Sequence, residues 1–183
     1  VKYFLDTEFH EDGNTIDLIS IGIVCEDGRE YYAISNECDY SRIWTLDSCE
    51  WLRQNVMCYI GSDDTAGIWV SRETIRREIA DFIGADPKPE FWAYYADYDW
   101  VAFCQLWGRM IDLPRHFPMF CRDIRQLLDV YGKVYVTQMN EHHALFDARH
   151  DRDMFNNLVE RQKILIAQDP ERLVNKLVQA LQC

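Results

Sequence analysis

The sequence predicts an α/β domain: a mixed β-sheet flanked by helices, opening with a three-stranded antiparallel meander. Three observations predict it. The first three extended segments follow one another without a helix and are joined by turn signals. After them, helical and extended patterns alternate. The first segment is apolar on both faces except at its end, the pattern of a strand inside a covered sheet.

Residues 1–8 read as that first strand, and Glu11-Asp12-Gly13-Asn14 as a turn. Residues 15–25, rich in Ile and Val, form the second strand. Glu26-Asp27-Gly28 is a hairpin signal, and residues 29–35 return as the third strand around Tyr31-Tyr32-Ala33-Ile34. Residues 36–68 are polar, interrupted by Trp44, Trp51 and Tyr59, and read as a loop with one short helix near 49–56. Ser71 caps the next helix, whose buried stripe is Ile75, Ile79, Phe82 and Ile83. Asp86-Pro87-Lys88-Pro89 stops it. A strand over 90–95 and a helix over about 98–110 follow, then a loop bracketed by Pro114 and Pro118. Residues 123–131 form a helix with Ile124, Leu127 and Leu128 inward. A last long helix starts near Glu141 and runs past Val159. Asp169-Pro170 breaks it, leaving a closing helix or arm over 171–182. The expected division is one domain over 1–160 and a helical extension over 161–183.

The bulk numbers bound the function. The chain has 183 residues, 48% of them hydrophobic, enough for one sizeable core. No apolar run approaches the roughly 20 residues of a membrane span, and no signal peptide is visible, so a cytoplasmic protein is expected. The seven cysteines include no Cys-x-x-Cys pair, which points to reduced thiols rather than a zinc site. A net charge of -12 argues against a nucleic-acid coat protein. It leaves room for an enzyme on nucleic acid, because clustered acids that bind divalent cations become an attractor for phosphate.

Four carboxylates and one histidine carry the chemistry. Asp6 and Glu8 alternate onto one face of the first strand, with Thr7 opposite. Two acids on one face of a buried strand cost free energy unless a cation or base joins them; a solvated strand end is the competing reading. Asp97 and Asp99 open a helix after an aromatic strand, where an acid also simply favours the helix dipole. In His142-His143-Ala144-Leu145-Phe146-Asp147-Ala148, an imidazole precedes an acid set among apolar neighbours. The competing reading of a lone histidine there is structural.

Asp-x-Glu early, aromatic-Asp in the middle and His-x-x-x-x-Asp late, in this order, resemble the DEDDh group of 3'-5' exonucleases on an RNase H-like fold. Tyr3-Phe4, Asp6-Thr7-Glu8-Phe9 and Glu11-Asp12-Gly13 resemble more closely the RNase AS family of exoribonucleases, associated with adenosine-rich RNA. Cys104-Gln105-Leu106-Trp107-Gly108, Trp69 and Ser71-Arg72 add to the likeness, which spans roughly 1–158.

The resemblance implies catalytic residues Asp6, Glu8, Asp99, His142 and Asp147, the four acids holding two Mg2+ or Mn2+ ions and His142 acting as base. It selects His142 over His143 and Asp99 over Asp97, although a sister group carries its tyrosine at the position of His143. The implied substrate is single-stranded RNA or an RNA 3' end, and a homodimer is implied. Thr7 and Phe9 are candidates for the terminal nucleotide, Phe9 by stacking. Trp69 and Arg72 are further substrate candidates; a core tryptophan and a solvated helix face shared with Arg76 and Arg77 are the rival readings. The competing functions are a 3'-5' DNA exonuclease and a catalytically idle nucleic-acid-binding module.

Overall fold

A computed structural model describes residues 1–60 and 68–180. Among the described residues six strands lie in the order β4-β3-β2-β1-β5-β6. β1 (Lys2–Glu11), β2 (Ile16–Cys25) and β3 (Glu30–Ser35) form the expected antiparallel meander. Gly28, at φ +94°, makes the β2–β3 turn in a conformation that a side chain would strain, and its N–H donates to the Cys25 carbonyl at 2.9 Å. β4 (Trp69–Val70) joins β3 in parallel, β5 (Glu90–Ala93) joins β1 in parallel, and β6 (Arg122–Asp123) joins β5 in parallel. Only β2 runs against the rest, so the carboxyl ends of the other five strands share one edge.

β1 extends further than its apolar run suggests, because pairing with β2 continues through Phe9, His10 and Glu11. A bulge makes this continuation work. Glu8 faces Ser20, but Phe9 faces Leu18, leaving Ile19 as the extra residue on β2. Ile19 then points into a satellite core with Cys38, Ile43, Cys49, Val56 and Met57, while Leu18 and Ile16 rejoin the main core. That main core packs Tyr3, Leu5, Ile21 and Ile23 of the sheet against Ile75, Ile79 and Ile83 of α3 (Arg72–Ile83) and Phe103 of α4 (Asp97–Gln105). On the opposite face Phe4 meets Ile124 of α5 (Ile124–Tyr131) and Met154, Phe155 and Leu158 of α6 (Ala144–Gln168).

Several boundaries move for physical reasons. The stretch read as a loop with one helix holds α1 (Tyr40–Thr45), α2 (Glu50–Asn55) and short 3₁₀ turns, anchored by the satellite core; its residues 61–67 lie outside the described residues. The two-residue strands β4 and β6 carry no periodicity that a sequence could reveal. Ser71 caps α3, its hydroxyl accepting from Thr74 N–H at 3.2 Å. α6 begins at Ala144 rather than near Glu141, because Asn140 and His142 adopt left-handed backbone (φ +51° and +68°) and His143 becomes its N-cap. It continues unbroken to Gln168, and α7 (Pro170–Ala180) folds back to touch α5 and α6. The expected closing helix over 171–182 therefore agrees as far as the described residues go.

Candidate active site

The shared strand edge gathers the acids. β1 delivers Asp6 and Glu8 on the face toward α6, and Thr7 on the face toward α4. Asp99, buried in the first turn of α4, accepts from Thr7 twice on one oxygen: from the backbone N–H at 2.8 Å and from the hydroxyl at 2.6 Å. The residue between the two acids thus ties a third acid to the strand.

α6 brings the fourth acid. Its first turn crosses β2 at Gly22, and Asp147 follows on that turn. Gln138 donates its side-chain amide to Asp147 Oδ1 and His142 donates its backbone N–H to Asp147 Oδ2, both at 2.8 Å. The left-handed turn at His142 is what points that N–H at the carboxylate. Glu8, His142 and Asp147 each offer a ligand atom, and these atoms all lie within 4.8 Å of one another. Asp6, His142 and Asp147 line a cavity of about 400 Å³ together with Gln138, His150 and Asp151.

The electrostatics express the crowding. Burial pushes the Asp6 carboxyl well above the ordinary range, and the charges of Asp99, Glu8, Asp147 and Asp151 push the same way. Burial, then Asp147 and Asp99, lifts Glu8 to about 8. Burial lifts Asp99 to about 6 against the lowering effect of its Thr7 hydrogen bonds. Burial also raises Asp147, opposed by Gln138 and the His142 N–H. Such a set relaxes when cations enter, and its mainly oxygen donors fit hard divalent ions.

The two histidines have different surroundings. His143 is caged: its ring stacks on Tyr32 at 4.6 Å and meets Tyr59 and Phe146 edge-on, and its Nδ1 accepts from Leu145 N–H at 3.3 Å. Burial lowers its pKa, in keeping with a neutral ring whose Nδ1 accepts. The ring of His142 sits in the cavity beside the acids, with the indole of Trp51 edge-on at 4.7 Å.

Other candidates divide. Phe9 stacks on Tyr98 at 5.7 Å and 14°, and Tyr98 is half exposed, so the two make a platform beside Asp99. Trp69 leans on Tyr40 at 5.3 Å, and Arg72 pairs with Asp17, so the structure ties both to the β4–α3 corner rather than to the acids. The sequence reading passed over Asp151, which is almost wholly buried and accepts from Tyr94 N–H at 2.9 Å. Its signal was available: Asp151 lies four residues after Asp147, on the same face of one helix. Trp51 and Gln138 had no such signal.

A mixed sheet with four acids and an imidazole at its strand-end rim defines a class, the metal-assisted phosphodiesterases. The chain belongs to the family of Rv2179c-like 3'-5' exoribonuclease domains, whose model matches residues 1–159. It is 44% identical over 153 residues to the 3'-5' exoribonuclease Rv2179c of Mycobacterium tuberculosis (strain ATCC 25618 / H37Rv), covering 81% of this chain and 88% of the relative. The 3'-5' exoribonuclease MT2234.1 of Mycobacterium tuberculosis (strain CDC 1551 / Oshkosh) matches with the same identity and coverage. As a family member the chain is a 3'-5' exoribonuclease, a hydrolase.

Proposed function

We propose that this chain removes nucleotides from the 3' end of single-stranded RNA and releases nucleoside 5'-monophosphates. The observation that carries the mechanism is the convergence of Glu8 with His142 and Asp147, two residues that line one cavity with Asp6. Asp6, Glu8, Asp99 and Asp147 would hold two divalent cations, Asp99 directly or through water. When bound, magnesium or manganese supplies a more acidic water and neutralises charge on the phosphate.

The protein's own groups do the rest. His142 takes the proton of the attacking water as its oxygen bonds to phosphorus. The P–O3' bond breaks, and the departing 3'-oxygen takes a proton from solvent. Asp99, fixed by Thr7, keeps its carboxylate aimed at the rim. The Phe9–Tyr98 platform offers the terminal base a stacking surface, which tolerates any base. Trp69 and Arg72 would meet the strand further along the rim, Arg72 exchanging Asp17 for phosphate.

In this reading residues 1–160 form the catalytic domain and 161–183 an extension. Exposed Ile164, Ile166, Val174 and Val178 on that extension support a homodimer, which sedimentation measures directly. No described helix is long and apolar enough to cross a membrane, and the six described cysteines are free, which supports a reducing, cytoplasmic setting.

The test is degradation of 5'-labelled and 3'-labelled RNA, with matched DNA, with and without Mn2+. Stepwise shortening of the 5'-labelled strand, dependent on metal and faster on RNA, is expected. Release of label from a 5' end, or turnover in excess chelator, would overturn the reading.

A further inference from the structure

The stretch between β3 and β4 reaches across to the two adjacent histidines. Trp51 on α2 meets the ring of His142 edge-to-face, with centroids 4.7 Å apart and planes at 74°. Further along, Tyr59 meets the ring of His143 in the same manner at 5.5 Å. α2 has six residues, far short of the roughly 12–15 that an isolated helix needs, so tertiary contacts hold it. Cys49, Val56 and Met57, at its two ends, sink into the satellite core. Arg53 donates to the carbonyls of Ile43 at 2.6 Å and Leu46 at 2.8 Å, which ties α2 to α1 and its cap. The helix thus presents Trp51 from a fixed base, although the indole itself is 52% exposed. His142 needs such a support. Its backbone is fixed by the left-handed turn and by the N–H bond to Asp147. Its side chain is not, since among the described residues no hydrogen bond reaches the ring. The imidazole turns about two bonds, and only part of that range brings a ring nitrogen within 4.8 Å of the Glu8 and Asp147 carboxylates, where it stands. Edge-to-face contact is an arrangement that aromatic rings prefer, so the indole selects one orientation.

We infer that Trp51 is a positioning residue for the catalytic step: it holds the His142 imidazole in the orientation from which the ring takes the proton of the attacking water. The inference rests on the exoribonuclease reading with His142 as base. In this role Trp51 acts through His142 alone, by restricting rotation of its ring. Ordering the ring before substrate arrives removes an entropic cost from the barrier. The helices between β3 and β4 add no strand to the sheet, and their contribution to the site runs through one chain of contacts. The satellite core seats α2, α2 carries Trp51, and Trp51 sets the base.

Trp51→Ala and Trp51→Phe, each alone and combined with His142→Ala, test this by single-turnover hydrolysis of RNA in Mn2+. The indole is half exposed, so both variants are expected to melt like the wild type. Should Trp51→Ala melt lower, Trp51→Leu, which keeps apolar bulk without a ring, carries the same measurements. Trp51→Ala is expected to lower the rate constant about tenfold, inside the ~100-fold that a small misplacement can cost, at unchanged RNA affinity. Trp51→Phe keeps an aromatic ring and most of the rate. In the His142→Ala background Trp51→Ala costs nothing further, because the group it positions has gone. A merely structural tryptophan would cost the same in both backgrounds, and that result would overturn the inference. So would an unchanged rate, or weaker RNA binding at an unchanged rate, which would make the indole a stacking surface for a base. The contact is also read without metal or RNA. In chelator, the Hε1 proton resonance of His142, assigned by its absence from His142→Ala, is expected to be displaced by the indole ring current and to move toward the free-histidine position in Trp51→Ala. A resonance that stays put in a protein that cuts RNA would overturn the inference alone. A resonance that moves in a protein that cuts no RNA would overturn the exoribonuclease reading and uphold the contact.

Discussion

Gly22 on β2 lies directly opposite Asp6 on β1, and the first turn of α6 rests on that glycine. A Cβ at Gly22 would stand 2.4 Å from the carbonyl carbon and oxygen of Ala144 and 2.5 Å from Leu145 Cα. All three are backbone atoms and cannot rotate away. The absent side chain therefore sets how close α6 brings Asp147 to the β1 acids. Gly22→Ala is expected to lift α6 off the sheet, costing roughly 1–3 kcal/mol of stability. Misplacement by about 1 Å is enough to cost on the order of 100-fold in rate. Melting curves and single-turnover hydrolysis measure the two effects, and wild-type values for both would refute this role for the glycine.

The adjacent histidines should fail differently. His142 reaches the cavity, whereas His143 caps α6 within an aromatic cage. His142→Ala is expected to lose about 10²–10⁴-fold in kcat, the usual worth of a general base, with little change in melting temperature. His143→Ala is expected to lose stability on the order of 1–2 kcal/mol, from the cap and the ring contacts, and to keep a larger share of its activity. The reverse pattern, a stable but inactive His143→Ala, would move the base to His143.

The meander and the rim acids were legible because each rests on a local pattern. Period-two alternation places Asp6 with Glu8, and a five-residue spacing joins His142 to Asp147. What stayed hidden depends on contacts between distant segments. The bulge at Ile19, which sends β2 into a second core, follows from pairing with β1 and not from β2's own composition. Trp51 lies on the short helix expected near 49–56, but its approach to His142 stayed hidden, because the satellite core that seats this helix is made of single apolar residues far apart in sequence. Arg72 read as a free cation, and only the folded chain reveals Asp17 against it.

Asp151 gives a prediction with two opposite readouts. Its carboxyl is buried among acids and accepts a hydrogen bond from the Tyr94 N–H, a bond that an amide oxygen can also accept. Burial and the charge of Asp99 hold its pKa well above the usual range. Asp151→Asn should therefore stabilise the metal-free protein, by on the order of 1–3 kcal/mol, the scale of a relieved buried polar group. The same change removes negative charge from beside the cation sites, so the rise in melting temperature on adding Mn2+ should shrink. A variant that melts lower without metal would contradict the first expectation, and an undiminished Mn2+ response the second.

Stability of the metal-free enzyme should run against the usual acid-denaturation trend. In chelator Glu8 titrates near 8 and Asp99 near 6, with Asp6, Asp147 and Asp151 also raised. In the unfolded chain all of them titrate near 4. Between about pH 4 and pH 8 the folded state thus binds more protons than the unfolded state, and linkage makes stability fall as pH rises through that window. Above about pH 8 the Glu8 contribution is fully lost and the slope flattens. Bound divalent cations invert the argument, because they favour the ionised carboxylates, whose protons must leave for the metal to enter. Melting temperature in chelator should fall from pH 5 to pH 8, and saturating Mg2+ or Mn2+ should restore it most at the alkaline end. Equal melting curves across this range, with and without metal, would mean that these carboxylates do not share one crowded site.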